Sequence, residues 1–251
     1  SGGSSPRFTT LSPLVAGDGV VVVWNYLGAM PLAGLRERDG AVLWRYQDSS
    51  TVVTNVLHGG LNGPGLLAQG GNLYFGVSTA DYSLSLTGLR LSTGHRLWRL
   101  PLGTGQLVLW DLAVDAGGVY AMTVPSWIGY HPGFQGLGLA TVDTTSGLLR
   151  WQDRPAPSPF PYFAGTGDLV VFASDTDVAG LRASDGATVW QHPLAESASV
   201  TTAASSVILS AVTPTGPNTW TGTLCGLHLT TGATGWCHQF PTGLAAVVLG
   251  P

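Results

Sequence analysis

The sequence predicts an all-β fold of the propeller class, and a repeated motif with its spacing carries this prediction. In each copy an aliphatic residue lies five positions before a glycine, and Asp, Thr or Ser lies immediately before that glycine. A tryptophan follows four positions later, and the five copies end at Trp44, Trp98, Trp151, Trp190 and Trp236. Successive tryptophans are 54, 53, 39 and 46 residues apart, which suits a propeller blade of about four short strands. We therefore expect five blades of four antiparallel strands with tryptophan-docking repeats.

Turn signals and β-branched runs upstream of each motif predict the other strands of the repeat. Gly17-Asp18-Gly19 leads into Val20–Trp24, and Gly70-Gly71-Asn72 leads into Leu73-Tyr74-Phe75. Such turns between apolar runs are hairpin signals. One repeat is therefore predicted as inner strand, Gly turn, second strand, variable loop, third strand, Asp-Gly-type turn, and a fourth strand ending at the tryptophan. No helix longer than a turn or two is expected.

The residues of the motif have local physical roles. The glycine suits a turn position with positive φ, and the Asp, Ser or Thr before it can hydrogen-bond the turn backbone. The tryptophan offers a large flat surface that one blade can lay against the next. An aromatic cage for a ligand is the alternative, but five tryptophans in equivalent positions favour packing.

The repeat covers nearly the whole length, so residues 8–251 are expected to form a single domain. Residues 1–7, which begin Ser1-Gly2-Gly3, resemble a linker or an expression remnant, and we expect the chain to be part of a longer protein. The stretch 243–249 resembles the start of another blade, as 51–57 does. A fragment of a larger propeller is therefore the alternative to a ring closed by five blades.

Composition argues against a nucleic-acid partner and against a membrane-spanning segment. The net charge is -4, with ten arginines and no lysine, so no basic stripe is available for nucleic acid. No apolar run approaches the ~18 residues that a membrane-spanning helix needs, so no transmembrane segment is predicted in this chain.

Two cysteines, Cys225 and Cys237, lie at equal distances on either side of Thr231. If 225–229 and 233–237 form a hairpin, the two residues fall opposite each other, at a separation that suits a disulfide. The alternative is a pair of buried thiols. A disulfide indicates an oxidising compartment, so an extracytoplasmic location, secreted or cell-surface, is expected.

The motif, following its Gly turn and strand, resembles the tryptophan-docking repeat of the PQQ-like (quinoprotein alcohol dehydrogenase-like) β-propeller family over about residues 10–240. That family includes quinone-dependent dehydrogenases, a lipoprotein that assists outer-membrane protein assembly, and propeller domains of kinases and surface proteins. Its enzymes set adjacent cysteines against the quinone and hold calcium with Glu, Asn and Asp. This sequence has no adjacent cysteine pair, and its only glutamates are Glu37 and Glu196. The resemblance therefore implies a non-catalytic member.

No catalytic, cofactor-binding or metal-binding residue is assigned, and no cofactor is expected. The six histidines show no metal-ligand spacing. Asp175 and Asp177 lie together in a predicted loop, where a solvated loop is favoured over a catalytic pair. A quinone-dependent dehydrogenase-like enzyme or a carboxylate-pair hydrolase remains the alternative function.

The second-to-third strand loops, predicted at 25–33, 77–87, 124–138, 174–179 and 211–224, are expected to share one face of the propeller. Aromatic side chains on a rigid scaffold are natural interface anchors. Each could instead cover the backbone of its own loop. The predicted binding face comprises Tyr26, Tyr82, Trp127, Tyr130, His131, Phe134 and Trp220. The expected function is ligand binding or protein interaction on this face, with a protein or glycan partner, by a monomeric domain.

Overall fold

The structure, a computed structural model, describes residues 12–24, 32–46, 66–78, 83–104, 107–115, 118–125, 138–153, 162–174, 176–194, 198–203, 205–216 and 219–240. Over these residues the protein is all-β, with twenty strands in five four-stranded antiparallel sheets and no helix. The predicted all-β class is thus confirmed.

Each sheet takes four strands in chain order, and each strand pairs with the next. The strands are β1 (Ser12–Gly17), β2 (Val20–Trp24), β3 (Leu32–Arg36), β4 (Val42–Tyr46); β5 (Leu66–Gln69), β6 (Asn72–Ser78), β7 (Leu84–Arg90), β8 (Arg96–Gly103); β9 (Leu107–Asp115), β10 (Gly118–Pro125), β11 (Gly138–Val142), β12 (Leu149–Asp153); β13 (Tyr162–Thr166), β14 (Leu169–Ala173), β15 (Asp177–Arg182), β16 (Thr188–Pro193); and β17 (Ala198–Ala203), β18 (Ser206–Gly216), β19 (Thr219–His228), β20 (Thr234–Phe240).

The predicted end of the fourth strand at the tryptophan is wrong. Strand β4 continues two residues beyond Trp44 to Tyr46, and β20 continues four residues beyond Trp236 to Phe240. The reason is pairing with the third strand, which extends past the tryptophan, as Leu32 opposite Tyr46 shows. The tryptophan therefore lies inside its strand, with paired backbone on both sides.

The predicted second-to-third strand loops are shorter in the structure. Between β6 and β7 only 79–83 remain, and between β14 and β15 only 174–176. The largest difference is at 211–224, which is a paired hairpin and not a loop, because β18 runs to Gly216 and β19 starts at Thr219. The β-branched residues Val212, Thr213 and Thr221 continue the antiparallel pairing there.

The described residues fall into two compact units. Residues up to 109, with 145–147, form one unit, in which β1 lies beside β5. Its core includes the buried side chains of Val22, Leu73 and Phe75. Residues 110–144 and 148–240 form the other, in which β13 lies beside β17 and two hydrophobic clusters fill the interior. The single domain over 8–251 remains a prediction.

The motif turns have the predicted backbone. The motif glycines all have positive φ, from 67° at Gly94 to 74° at Gly186. The Asp39 carboxylate accepts the Ala41 N–H at 3.1 Å, and the Thr93 hydroxyl accepts the His95 N–H at 3.3 Å. These contacts confirm the predicted bonding of the turn backbone by the preceding Asp or Thr.

Each tryptophan in the motif packs on a glycine, except in the third sheet. On the third strand of its own sheet, Gly34 lies opposite Trp44 and Gly88 opposite Trp98, and the same pairing occurs at Gly180 and Gly226. A Cβ at Gly88 would lie 2.6 Å from the Trp98 ring, closer than packed atoms come. Absence of a side chain therefore lets the indole lie flat against its own sheet.

The outer face of the indole is covered by the motif turn of the following sheet. In the first unit Gly94 lies against Trp44 and Gly147 against Trp98. In the second unit, Gly186 covers Trp151 in the same way, and Gly232 covers Trp190. The indole N–H also crosses between sheets, from Trp44 to the Leu91 carbonyl at 2.7 Å, from Trp151 to Ala183 at 2.8 Å and from Trp190 to Leu229 at 2.8 Å.

The disulfide predicted at the last repeat is present. Cys225 and Cys237 are paired in the β19–β20 register, their Cα atoms are 4.1 Å apart, and their sulfurs are bonded. The bond joins the last two strands of the fifth sheet.

We expect Trp190→Ala to lower the free energy of unfolding by about 3–5 kcal/mol, because a nearly buried indole and its hydrogen bond are removed from between two sheets. Trp98→Ala should cost a similar amount. The control is Trp220→Ala, since Trp220 is 50% exposed and lies outside the docking positions. Denaturant unfolding measures all three. Equal losses for Trp220 and Trp190 would contradict the assignment of docking roles.

We expect Cys225→Ser with Cys237→Ser to lower the free energy of unfolding by about 3 kcal/mol, because the bond closes a short loop in the unfolded chain. Alkylation and mass measurement of the wild type should find no free thiol before reduction and two afterwards. Two free thiols in protein prepared under oxidising conditions would contradict the disulfide.

Candidate functional site

One residue of the predicted binding face, Trp220, lies in the described part of the chain. It occupies the second position of β19, close to the end of the β18–β19 hairpin. The other six, Tyr26, Tyr82, Trp127, Tyr130, His131 and Phe134, lie outside the described residues. The geometry of the candidate site is therefore that of the hairpin around Trp220.

The β18–β19 hairpin is the longest strand pair among the described residues, with strands of 11 and 10 residues. Its register runs from Ser206 opposite His228 to Gly216 opposite Thr219, with a shift between Pro214 and Gly216. Proline has no N–H for the ladder, so an irregularity beside Pro214 is expected. The hydroxyls of Thr215 and Thr219 are 3.2 Å apart and link the two strands beyond this point. We call residues 211–216 with 219–223 the hairpin tip.

The hairpin tip presents an apolar surface to solvent. Trp220 is 50% exposed and Val212 is 37% exposed. Trp220 is paired with Pro214, and Val212 lies two positions before Pro214, so both side chains project from the same face of the hairpin. Gly222, opposite Val212, adds no side chain to that face. An indole and a neighbouring aliphatic group on one face can serve as a contact anchor for a partner.

The base of the same hairpin is held firmly. Val207 and Leu227, paired with each other, are buried in the core of the second unit. Leu209 is buried there too and lies opposite Cys225, which is bonded to Cys237. The hairpin tip therefore extends from a packed and cross-linked base, so its exposed side chains need little ordering when a partner binds.

A carboxyl group that the sequence analysis missed lies on β9. Asp111 accepts the N–H of Leu112 at 2.8 Å, which favours the carboxylate. Burial outweighs this hydrogen bond and raises the pKa of Asp111 to about 6. A single acid inside the apolar run Leu107–Val114 was the available signal. Such a carboxyl can exchange a proton near neutral pH, which is a property of general acids.

A second carboxyl on the same strand has a structural role. The Tyr120 hydroxyl donates to Asp115 at 2.9 Å, and its ring lies against Gly165 of the next sheet. Burial, followed by the negative charge of Asp115, raises the pKa of Tyr120 far above its ordinary value. Tyr120 therefore remains protonated and holds Asp115 in place.

In the predicted acidic loop, the side chain of Asp177 takes part in hydrogen bonds with neighbouring residues. The Asp177 carboxylate accepts from the Ser174 hydroxyl at 3.0 Å and from the Gln191 amide at 3.0 Å. Asp175 lies outside the described residues. Within the described ranges, no group of three His, Cys, Asp or Glu side chains is placed to hold a metal ion. The part of the chain that the structure describes contains no helix able to cross a membrane.

Comparison with known proteins identifies the repeat. A family model described as outer membrane protein assembly factor BamB matches residues 4–124, 104–219 and 135–244. No curated protein sequence matches significantly. Among solved structures, BamB from Moraxella catarrhalis is similar, with 18% identity and a TM-score of 0.60 over 94% of this chain and 66% of its own.

Two further solved structures, a dehydrogenase and a WD40 domain, have a similar fold. The quinohemoprotein alcohol dehydrogenase ADHIIG from Pseudomonas putida HK5 is 14% identical, with a TM-score of 0.57 over 90% of this chain and 41% of its own. The Pan2 WD40 domain from Neurospora crassa is 13% identical, with a TM-score of 0.57 over 95% of this chain and 67% of its own. The fold class is thus a β-propeller. The chain spans less than two thirds of the length of BamB and of the dehydrogenase.

We expect the raised pKa of Asp111 to make stability fall as pH rises from about 4 to about 6. The folded state holds the Asp111 proton more tightly than the unfolded state, so stabilisation is complete below the unfolded pKa and is lost as pH rises through the folded pKa. Asp111→Asn should remove up to about 3 kcal/mol of this fall.

Denaturant unfolding between pH 3.5 and 7 measures the effect. Asp39→Asn is the control with the opposite sign, because the pKa of Asp39 is lowered, mainly by the Ala41 N–H, and its stabilisation is lost as pH falls. An unchanged pH slope in Asp111→Asn would show that Asp111 ionises freely.

Proposed function

This chain belongs to the PQQ-like β-propeller repeat family, whose matching model is described as outer membrane protein assembly factor BamB, and from this membership we propose that it is a non-catalytic interaction scaffold. The proposed binding surface is the loop face predicted from the sequence, of which the hairpin tip is the described part. A propeller of this family fits a protein-interaction role, since its repeats provide a rigid frame for variable loops.

The exposed Trp220 is the observation that supports this surface most directly. It lies beside the exposed Val212 on a hairpin whose base is buried and cross-linked. Tryptophan gives the largest contact area of any side chain for few lost rotamers, and it is enriched among residues that dominate binding energy. The remaining anchors are proposed to be the six aromatic and histidine residues named above with Trp220.

A protein is the first choice of partner, and a glycan is the second. The matching family is described as an assembly factor for outer membrane proteins, which favours a protein. The disulfide supports an extracytoplasmic location, because such bonds persist mainly in oxidising compartments. We therefore propose a partner outside the cytoplasm.

An enzyme is the alternative. The fold likeness to a quinohemoprotein alcohol dehydrogenase and the raised pKa of Asp111 are the observations that favour it. Asp111 would supply the general acid of a hydrolase, or a quinone would supply redox chemistry in a dehydrogenase. Incubation with pyrroloquinoline quinone and calcium, followed by gel filtration, separates these functions: stoichiometric chromophore binding would favour the dehydrogenase.

We expect Trp220→Ala to weaken partner binding by about 5- to 30-fold, which corresponds to about 1–2 kcal/mol for an exposed aromatic anchor. The tagged chain is first used to capture partners from an extracytoplasmic extract, and the captured protein is then titrated against each variant. A glycan array run in parallel tests the second choice of partner.

The matched control is Val189→Ala, since Val189 is 43% exposed and lies on β16, in a different sheet from the hairpin tip. It should bind as the wild type does. Equal affinity of Trp220→Ala and wild type for the captured protein would rule out the hairpin tip as its binding surface.

A further inference from the structure

The disulfide of the fifth sheet has one sulfur close to solvent and one beside the core. Cys237 lies on β20, the terminal strand of its sheet, and is exposed, as is the rest of β20 up to Gln239. Cys225 lies on β19, is partly buried and packs against the hydrophobic cluster that contains Trp190. A reagent dissolved in water can therefore reach Sγ of Cys237 more readily than Sγ of Cys225.

The surroundings of this disulfide belong to the second compact unit. Trp190 is a residue of the fourth sheet, so its cluster places Cys225 on the face of the fifth sheet that is turned toward the fourth. The disulfide places Cys237 on the same face. Both sheets lie in the second unit, so the difference between the two sulfurs arises from packing within that unit.

The fifth sheet carries no acidic group that would repel an approaching anion. The sequence has no Asp or Glu from Ser197 to Pro251, a range that includes all four strands of this sheet. A thiolate is the nucleophile in thiol–disulfide exchange, and a nearby carboxylate would repel it. The next residue of β20 on the face of Cys237 is Gln239, which is neutral. The local charge therefore permits attack by a thiolate.

We propose that Cys237 is a site of thiol–disulfide exchange in the folded protein, at which a thiol is held as a mixed disulfide. The incoming thiolate attacks Sγ of Cys237, so a new sulfur–sulfur bond forms and the Cys225–Cys237 bond breaks. Cys225 leaves with the electron pair as a thiolate and takes a proton from water. One disulfide is consumed and one is formed, so no further oxidant or reductant is needed.

The fold keeps the released thiol close to the mixed disulfide. Five residue pairs besides the cysteines hold β20 in register with β19, and Trp236 packs on Gly226 beside them. Cys225 therefore stays opposite Cys237 when the bond between them is broken. Attack of Cys225 on Cys237 then expels the bound thiol and restores the original disulfide, so the modification is reversible.

Exchange at Cys237 is separate from the binding proposed for the hairpin tip. Trp220 and Cys225 are five positions apart on β19, so their side chains project from opposite faces of the sheet. The disulfide shares the face of Cys225, away from the side chain of Trp220. The two sites are therefore tested with different reagents and different variants.

The first experiment compares two single-cysteine variants, with oxidised glutathione as the probe. Cys225→Ser leaves the exposed thiol and Cys237→Ser leaves the partly buried one, and each is the matched control of the other because both lose the disulfide. After circular dichroism has shown that both are folded, mass measurement should find Cys225→Ser modified at least about 10-fold faster, since the reaction depends on access to the sulfur. Equal rates, or faster modification of Cys237→Ser, would overturn the proposal.

The second experiment uses the wild type with its disulfide intact and reduced glutathione as the incoming thiol. After acid quenching and alkylation, peptide mass measurement should find glutathione on Cys237 and the alkyl group on Cys225. The opening rate should be nearly unchanged by urea below the unfolding transition, because exchange takes place in the folded state. Glutathione on Cys225, or a rate that rises in step with global unfolding, would overturn the proposal.

Thioredoxin at equal thiol concentration distinguishes the source of the thiol. Faster opening by thioredoxin than by glutathione would assign a protein dithiol as the incoming group. Faster opening by glutathione would assign a small thiol. Failure of both reagents to open the bond in the folded wild type would overturn exchange at Cys237, whatever the fate of binding at the hairpin tip.

Discussion

The contact on which the rest of the structure depends is an indole held between two glycines, as at Trp44, Trp98 and Trp190. One glycine, on the third strand of the same sheet, leaves the space in which the ring lies flat, and the other is the turn glycine of the following sheet. Neither could carry a Cβ: the built atom at Gly88 falls 2.6 Å from the Trp98 ring, and that at Gly94 falls 2.6 Å from Trp44. Because the indole N–H meets a carbonyl of the next sheet, burial leaves no unpaired donor at Trp44, Trp151 or Trp190.

This contact explains why the motif tolerates chemical variation around its glycine. Asp39 and Asp185 bond the turn backbone and pair with Arg36 and Arg182, whereas Thr93 and Thr231 bond the backbone alone. The ion pairs are about half exposed, and pairs of that kind contribute little to stability. What the turns share is the left-handed glycine that touches the ring. Stability in such a repeat depends mainly on contacts between neighbouring sheets.

The proposed binding uses side chains that the repeated contacts between sheets leave exposed to solvent. Identities of 13–18% to an assembly factor, a dehydrogenase and a WD40 domain show that the frame is shared among proteins with different tasks. The surfaces that distinguish this chain are local departures from the repeat. The β18–β19 hairpin is extended and carries an exposed tryptophan, and β20 exposes an indole that the other sheets cover. Both departures lie in the sheet with the disulfide, which joins β19 to β20.

Much of the fold could be predicted from the sequence, because the signals are local. A glycine with an Asp or Thr before it specifies a turn, an alternating run specifies a strand, and equal spacing about Thr231 places Cys225 opposite Cys237. The extension of β18 and β19 through 211–224 was missed, since strand pairing across a proline depends on the partner strand. Of the candidate site, residue identities could be predicted and their surroundings could not.

The sequence by itself thus determined the fold class, the strand order, the turn conformation and the disulfide, which all follow from residues close together in the chain or symmetric about one turn. Only the tertiary structure decided which tryptophans are buried. Trp190 and Trp236 have the same motif, yet Trp190 is 7% exposed beneath the turn of the following sheet and Trp236 is 42% exposed. Likewise, the raised pKa of Asp111 comes from burial by the residues packed around it. Burial is a property of neighbours in space, and no local pattern encodes it.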